Sequence, residues 1–152
     1  MNPINKMKLE VDAQSINESF VRGVVAAFAS QLDPTLDEIN DLKTAVNEAV
    51  TNSIVHAGTK NIVIECELFS NSITVRVIDN GGGIKDVAQA MQPFVTTKAD
   101  EERSGMGFTV MQSFVDNLAV TSQVGKGTTI TMQKTFQQSK ESAYKPRGLN
   151  AV

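Results

Sequence analysis

The amino-acid sequence predicts an α/β fold of the α+β class, a two-layer sandwich in which helices cover one face of a mainly antiparallel mixed sheet. Two segments, beginning near Ser15 and Thr35, repeat apolar residues at three- and four-residue spacing, as helices packed on a core do. Two β-branched segments, 61–69 and 72–78, are separated by only two residues and predict an antiparallel hairpin. With 152 residues, 41% of them hydrophobic, the chain can bury one core of ordinary size.

The composition excludes several classes of protein. A formal net charge of −3 argues against a nucleic-acid-binding surface, which needs clustered basic residues. The single cysteine, Cys66, rules out an internal disulfide, and its strand-like context favours a buried hydrophobe over a reactive thiol. No apolar run is long enough to span a membrane, and the N-terminus lacks a signal-peptide core. We therefore expect a cytoplasmic protein that contacts neither nucleic acid nor membrane directly.

The N-terminal part begins with a weakly alternating segment, 6–11, which predicts an edge strand. The helix that follows from Ser15 is expected to leave Glu18 and Arg22 on its solvated side. Its expected core face consists of Phe20, Val24, Ala27, Phe28 and Leu32.

A second helix carries the first candidate chemistry. Thr35 and Glu38 form a capping-box pattern at its start, and Ala57-Gly58 marks its end after His56. Glu48 and Asn52 are four residues apart and therefore share one face of the helix. A carboxylate beside an amide can position a hydroxyl group and coordinate a hard cation such as Mg²⁺. The expected core face of this helix consists of Leu42, Ala45, Val46, Ala49 and Ser53.

The C-terminal half alternates glycine-rich turns with regular structure. The strand 72–78 runs into Asp79-Asn80 and three consecutive glycines. The polar segment Lys85–Ser104, with a short helix near 87–91, has the length of a lid. The next helix is predicted over Phe108–Val115 with Ser104 as its N-cap, and strands follow at 118–122 and 128–136. Residues 1–137 are thus expected to form one domain, and residues 138–152 a polar, flexible tail.

Four short motifs are spaced along these elements: Glu48-x-x-x-Asn52, Asp79-x-Gly81-x-Gly83, Gly105-x-Gly107 and Gly127-Thr128. Together they resemble the N, G1, G2 and G3 boxes of the GHKL ATPase superfamily, whose members share the Bergerat ATP-binding fold. Segments 17–35, 43–56 and 92–108 are most similar to the anti-sigma factor F serine kinases of endospore-forming bacteria. One departure is the short connection after His56, where that family usually carries a longer loop.

The resemblance implies an ATP-dependent protein-serine kinase with ATP/ADP and Mg²⁺ as cofactors. Glu48 would be the general base and Asn52 the Mg²⁺ ligand. The implied partners are a sigma factor, contacted by Arg22, and an anti-anti-sigma protein that is phosphorylated on serine. The family also implies a homodimer.

The remaining implied site residues bind the nucleotide. Asp79 can accept a hydrogen bond from the exocyclic amine of adenine, and Thr128 would support it. Gly81 and Gly83 would leave room for the base. Phosphate would be bound by Arg103, by Lys98 as a weaker candidate, and by helix N-terminal amides. Those amides belong to Gly105, Met106, Gly107 and Phe108.

Three alternatives remain open from the sequence. The general-stress anti-sigma kinases share the same boxes, although the SGMGF segment favours the sporulation family. A histidine-kinase catalytic domain would normally follow a phosphoacceptor helix pair, and His56 is a poor phosphoacceptor candidate because it lies on the helix of the N box. A non-enzymatic, nucleotide-gated binding module would not need a base such as Glu48 beside the metal ligand.

Overall fold

Five strands form one sheet in the order β1-β2-β3-β5-β4 in the computed structural model, which describes residues 2–91 and 102–137. All four pairings among the described strands are antiparallel, so the two-layer α+β prediction is confirmed but the sheet is not mixed. The first strand lies at an edge, as predicted. The strands are β1 (Asn5–Asp12), β2 (Asn61–Leu68), β3 (Ser72–Asp79), β4 (Asn117–Gln123) and β5 (Gly127–Thr135).

The helices cover one face of this sheet because alternate strand residues on that face are apolar and buried. Among the described helices, none is long and apolar enough to cross a membrane. They are α1 (Asn17–Ala29), extended by a 3₁₀ turn (Ser30–Leu32), α2 (Leu36–His56), α3 (Val87–Ala90) and α4 (Glu102–Phe114).

The predicted core face of this first helical segment is right at Leu32, which is fully buried, and at Phe28, which packs against the core, but within α1 the face is otherwise rotated by one residue. Val21, Val25 and Ala29 are fully buried, whereas Phe20 is 51% exposed and Ala27 lies at the surface. The sequence offers two apolar stripes that both have helical spacing. With the stripe that contains Val21 buried, Glu18 and Arg22 also form hydrogen bonds with side chains of α2.

The start of α2 agrees with the prediction. Thr35 Oγ1 accepts from the Glu38 amide at 3.1 Å, and Glu38 Oε1 accepts from the Thr35 amide at 2.8 Å, which completes the capping box. The preceding Asp33 has a left-handed backbone with φ of 56°, which ends the 3₁₀ turn. The five residues predicted to face the core, from Leu42 to Ser53, are all buried.

The predicted start of α4 is wrong. The helix begins at Glu102 instead of Phe108, so Ser104 lies inside it and is not its N-cap. Glycine favours a turn in sequence-based reasoning, but at Gly107 it serves helix packing. A Cβ there would lie 3.2 Å from Asn52 Nδ2 on α2.

The lid prediction is tested only at its start, where the short helix α3 confirms the expected helical piece. Lys98 and the tail 138–152 lie outside the described residues.

Candidate functional site

The carboxylate of Asp79 is the buried polar centre of the site, at the C-terminal end of β3. Its side chain is 5% exposed and faces the helical layer. Oδ1 accepts from the Gly81 amide at 2.9 Å, and Oδ2 lies 3.3 Å from the hydroxyl of Ser53 on α2. A carboxylate has about four acceptor positions. Asp79 can therefore still accept a hydrogen bond from a ligand.

Two hydroxyl groups extend this centre across the sheet. The register pairs Asp79 with Thr128 on β5 and Thr128 with Ser122 on β4. The two hydroxyl oxygens lie 2.8 Å apart, and Ser122 Oγ also accepts from the Ile84 amide at 2.7 Å. Thr128 was predicted from its motif, whereas Ser122 was not, because only the cross-strand register places it there. Ser53 was predicted as a core residue and is also a partner of Asp79.

The glycines after Asp79 bring three parts of the backbone into contact. A Cβ on Gly81 would lie 2.0 Å from the Ala57 carbonyl oxygen, just past α2. A Cβ on Gly83, whose φ is 78°, would lie 2.4 Å from the Gln123 carbonyl oxygen at the end of β4. These contacts explain why glycine is required. That Gly81 and Gly83 also leave room for the adenine ring stays a prediction.

The candidate base and metal ligand lie one turn apart on α2. Glu48 and Asn52 are both half-buried, on the flank of the helix that packs against α4. No cluster of three or more His, Cys, Asp or Glu side chains that could hold a metal occurs among the described residues. A Mg²⁺ ion bound to Asn52 would therefore rely mainly on water and substrate phosphates, which is how Mg²⁺ is commonly held beside nucleotides.

Polar contacts on the other flank of α2 correct a prediction about α1. Arg22 Nη1 donates to Asn47 Oδ1 at 2.6 Å, and Thr51 Oγ1 donates to Glu18 Oε1 at 2.6 Å. The side of α1 that carries Glu18 and Arg22 is therefore packed on α2 and is not simply solvated. Asn47 directly precedes Glu48, so α1 supports the segment of α2 that carries the candidate base.

The residues predicted to bind phosphate lie only partly within the described part of the chain. Arg103, Gly105 and Met106 are described as positions in α4, without their side-chain environment. Gly107 and Phe108 are buried and lie beyond the first four amides of the helix, which are the free ones. Binding of phosphate by their amides would thus need the first turns of α4 to open, and it stays a prediction.

Cys66 has no part in this site. It is buried on β2, and burial raises the pKa of its thiol to about 12. The thiol is therefore neutral at physiological pH, as expected for a residue that serves packing.

Known proteins resemble this chain over most of its length. A family model described as a histidine kinase-like ATPase domain matches residues 11–134. The anti-sigma F factor of Caldanaerobacter subterraneus subsp. tengcongensis is 57% identical over 133 residues, which cover 86% of this chain and 93% of that protein. The anti-sigma F factor of a Clostridium botulinum strain is 53% identical over 137 residues, 87% of this chain and 95% of that protein.

A solved structure shows the same fold. The crystal structure of the RsbU and RsbW domains of a Mycobacterium tuberculosis protein matches with a TM-score of 0.65 and 17% sequence identity. The match covers 90% of this chain and 34% of that one. At this identity it concerns the fold alone.

Proposed function

Because this chain belongs to the histidine kinase-like ATPase family and, within it, to the anti-sigma F factors, we propose that it is an anti-sigma factor and an ATP-dependent protein-serine kinase. It binds a sigma factor and phosphorylates a small anti-anti-sigma protein on serine. The observation that supports ATP binding is the buried Asp79 carboxylate. It lies beside the helix that carries Glu48 and Asn52.

Adenine recognition rests on the acceptor character of Asp79. Both of its described partners, the Gly81 amide and the Ser53 hydroxyl, can donate, so the carboxylate is held as an acceptor. The exocyclic amine of adenine can donate a hydrogen bond to this carboxylate. Guanine has a carbonyl oxygen at the same position, so two acceptor oxygens would face each other with no proton between them. The site therefore favours ATP over GTP.

Two α2 residues serve phosphoryl transfer. When bound, ATP would supply the phosphoryl group, and Mg²⁺ would offset the negative charge of its phosphates. Asn52 provides a side-chain oxygen to the metal, and Glu48 accepts the proton of the attacking serine hydroxyl. The spacing of one helical turn lets both side chains serve neighbouring atoms of one bound substrate.

Partner binding involves the first helix and, through the bound nucleotide, residues at and before the start of α4. Arg22 contacts the sigma factor in this proposal, and it must then give up or share its bond to Asn47. Arg103, with Lys98 as the weaker candidate, binds the terminal phosphate, so ATP and ADP give different partner affinities. The protein acts as a homodimer in the cytoplasm.

The second candidate, a histidine-kinase catalytic domain, is favoured only by the description of the matching family model. Incubation with labelled ATP and a purified anti-anti-sigma protein tests both functions. We expect acid-stable label on serine, which the Glu48→Gln variant should produce far more slowly. Acid-labile label would indicate phosphohistidine, and nucleotide binding without any transfer would indicate a binding module.

A further inference from the structure

The hydroxyl group of Ser122 joins three chain segments at the edge of the candidate nucleotide site. It accepts a hydrogen bond from the Ile84 amide at 2.7 Å. It donates to the Gly127 carbonyl oxygen at 3.1 Å, and it lies 2.8 Å from the hydroxyl oxygen of Thr128. All three groups lie outside β4, so this side chain links β4 to the turn after Asp79 and to β5.

The three contacts determine which way the hydroxyl protons point. A serine hydroxyl has one proton to donate and two lone pairs that accept. The Ile84 amide can only donate, so it occupies one lone pair, and the Gly127 carbonyl can only accept, so it receives the proton. The contact with Thr128 is then a hydrogen bond only if Thr128 donates to the second lone pair of Ser122. This is the one arrangement in which all three contacts are hydrogen bonds.

This arrangement uses the proton of Thr128 within the protein. The oxygen of that buried side chain therefore keeps only its lone pairs for a bound molecule. Thr128 lies directly opposite Asp79 in the register of β3 and β5, so the two side chains share one face of the sheet. Asp79 is also held as an acceptor, by the Gly81 amide and the Ser53 hydroxyl. The site thus presents two neighbouring acceptors.

The spacing of these two acceptors suits a single amine nitrogen. Directly opposite residues of an antiparallel pair have Cβ atoms about 4.5–5.5 Å apart. The two N–H bonds of a planar amine diverge by about 120°, and each N–H···O bond spans about 2.9 Å, so the two acceptor oxygens lie about 5 Å apart. Adenine carries such an exocyclic amine, whereas hypoxanthine and guanine carry a carbonyl oxygen at the same position. That oxygen would face two acceptors.

We propose that Ser122 is a positioning residue for adenine recognition. By accepting the proton of Thr128, it turns that hydroxyl into a second acceptor beside Asp79, and the two acceptors together take both protons of the adenine amine. Ser122 acts through Thr128 and not on the nucleotide itself. This inference rests on the ATP binding of the proposed function and adds a determinant of its base specificity. The bond from the Ile84 amide also supports the turn after Asp79, but this support is the same for every base.

The variant Ser122→Ala tests the inference, with ATP and ITP titrated onto each protein by calorimetry. ITP is the matched probe, because it carries a carbonyl oxygen where ATP carries the amine. Without the serine hydroxyl, Thr128 can turn its proton to that carbonyl oxygen and gain a hydrogen bond. The ratio of the ITP and ATP dissociation constants should therefore fall about 2- to 12-fold, the factor that one hydrogen bond between neutral groups contributes. Loss of the Ile84 contact weakens both nucleotides equally and leaves this ratio unchanged.

Four further variants show whether Ser122 acts through Thr128, and urea unfolding checks that each is folded. Ser122→Thr keeps a hydroxyl and should keep the parent ratio, whereas Ser122→Cys, with a weakly accepting thiol, should lower it. Thr121→Ala is the matched control, because it removes a hydroxyl from the opposite face of the same strand, and it should change neither affinity. In a Thr128→Val background, Ser122→Ala should no longer alter the ratio.

The outcomes separate this inference from the proposed function. An unchanged ratio in Ser122→Ala, whether or not both affinities fall, would overturn the inference and leave Ser122 as a support for the turn alone. A fall in the ratio that persists in the Thr128→Val background would overturn it as well, since Ser122 would then act by another route. Both results leave ATP binding intact, whereas a parent protein that binds no ATP would refute the proposed function and this inference together.

Discussion

Replacing Asp79 by asparagine separates adenine recognition from folding. In the parent site both carboxylate oxygens face donors, the Gly81 amide at 2.9 Å and the Ser53 hydroxyl at 3.3 Å. In Asp79→Asn, Oδ1 can keep the Gly81 amide while the new amide group faces Ser53. The Ser53 hydroxyl can then turn its proton to the Ala49 carbonyl, which also lies at 3.3 Å. We therefore expect the fold to survive.

We expect this substitution to weaken nucleotide binding more than it lowers the stability of the fold. A hydrogen bond to a charged group contributes about 1.5–3 kcal/mol, so ATP affinity should fall about 10- to 150-fold. The new amide can donate to the carbonyl oxygen of guanine, so discrimination against GTP should shrink at the same time. A merely structural role of Asp79 would predict equal losses for both nucleotides.

The assay is calorimetric titration of ATP and GTP onto the parent and variant proteins, with urea unfolding to check stability. Asp41→Asn is the matched control, because Asp41 is a half-buried carboxylate near Lys134, remote from this end of the sheet. It should leave both affinities unchanged. If Asp79→Asn kept the parent ATP affinity and the parent preference over GTP, the adenine assignment would have to be abandoned.

Three further predictions concern the rest of the molecule. Glu48→Gln should slow phosphoryl transfer about 10²–10⁴-fold without loss of nucleotide binding, whereas Asn52→Ala should weaken Mg²⁺-dependent nucleotide binding. A Glu48→Gln enzyme that is fully active in a transfer assay would rule out the role of Glu48 as the base. Thr51→Val should lower the free energy of unfolding by about 1–3 kcal/mol, since the Glu18 carboxylate loses its partner; an unchanged urea midpoint would contradict this. Cys66 should resist thiol reagents at pH 8 in the native state, and rapid labelling of the folded protein would refute its burial. Burial raises the pKa of the thiol from the ordinary value of 9.0 to about 12. The stability of the parent protein relative to Cys66→Ala should therefore fall as the pH rises from 9 toward 12, because the unfolded thiol ionises first.

The sequence alone determined the elements that depend on neighbouring residues. The Thr35 and Glu38 pattern predicted the start of α2, and the two-residue connection between 61–69 and 72–78 predicted the hairpin; both occur in the structure. The order of the elements and the hairpin-linked strands predicted a mainly antiparallel sheet with helices on one face. The four glycine and N-box motifs pointed to an ATPase family, and a model of a histidine kinase-like ATPase domain matches residues 11–134.

Only the tertiary structure decided how these elements face one another. Phe20 and Val21 lie on stripes with the same helical period, and packing against α2 determined which one is buried. Gly107 looked like a helix boundary, but α4 begins at Glu102, so Gly107 is an interior helix residue at the point where α4 lies close to Asn52 on α2. Ser122 joined the site through the register of β4 and β5. Periodicity along the chain fixes which residues share a face, but the direction of that face depends on contacts between residues far apart in sequence.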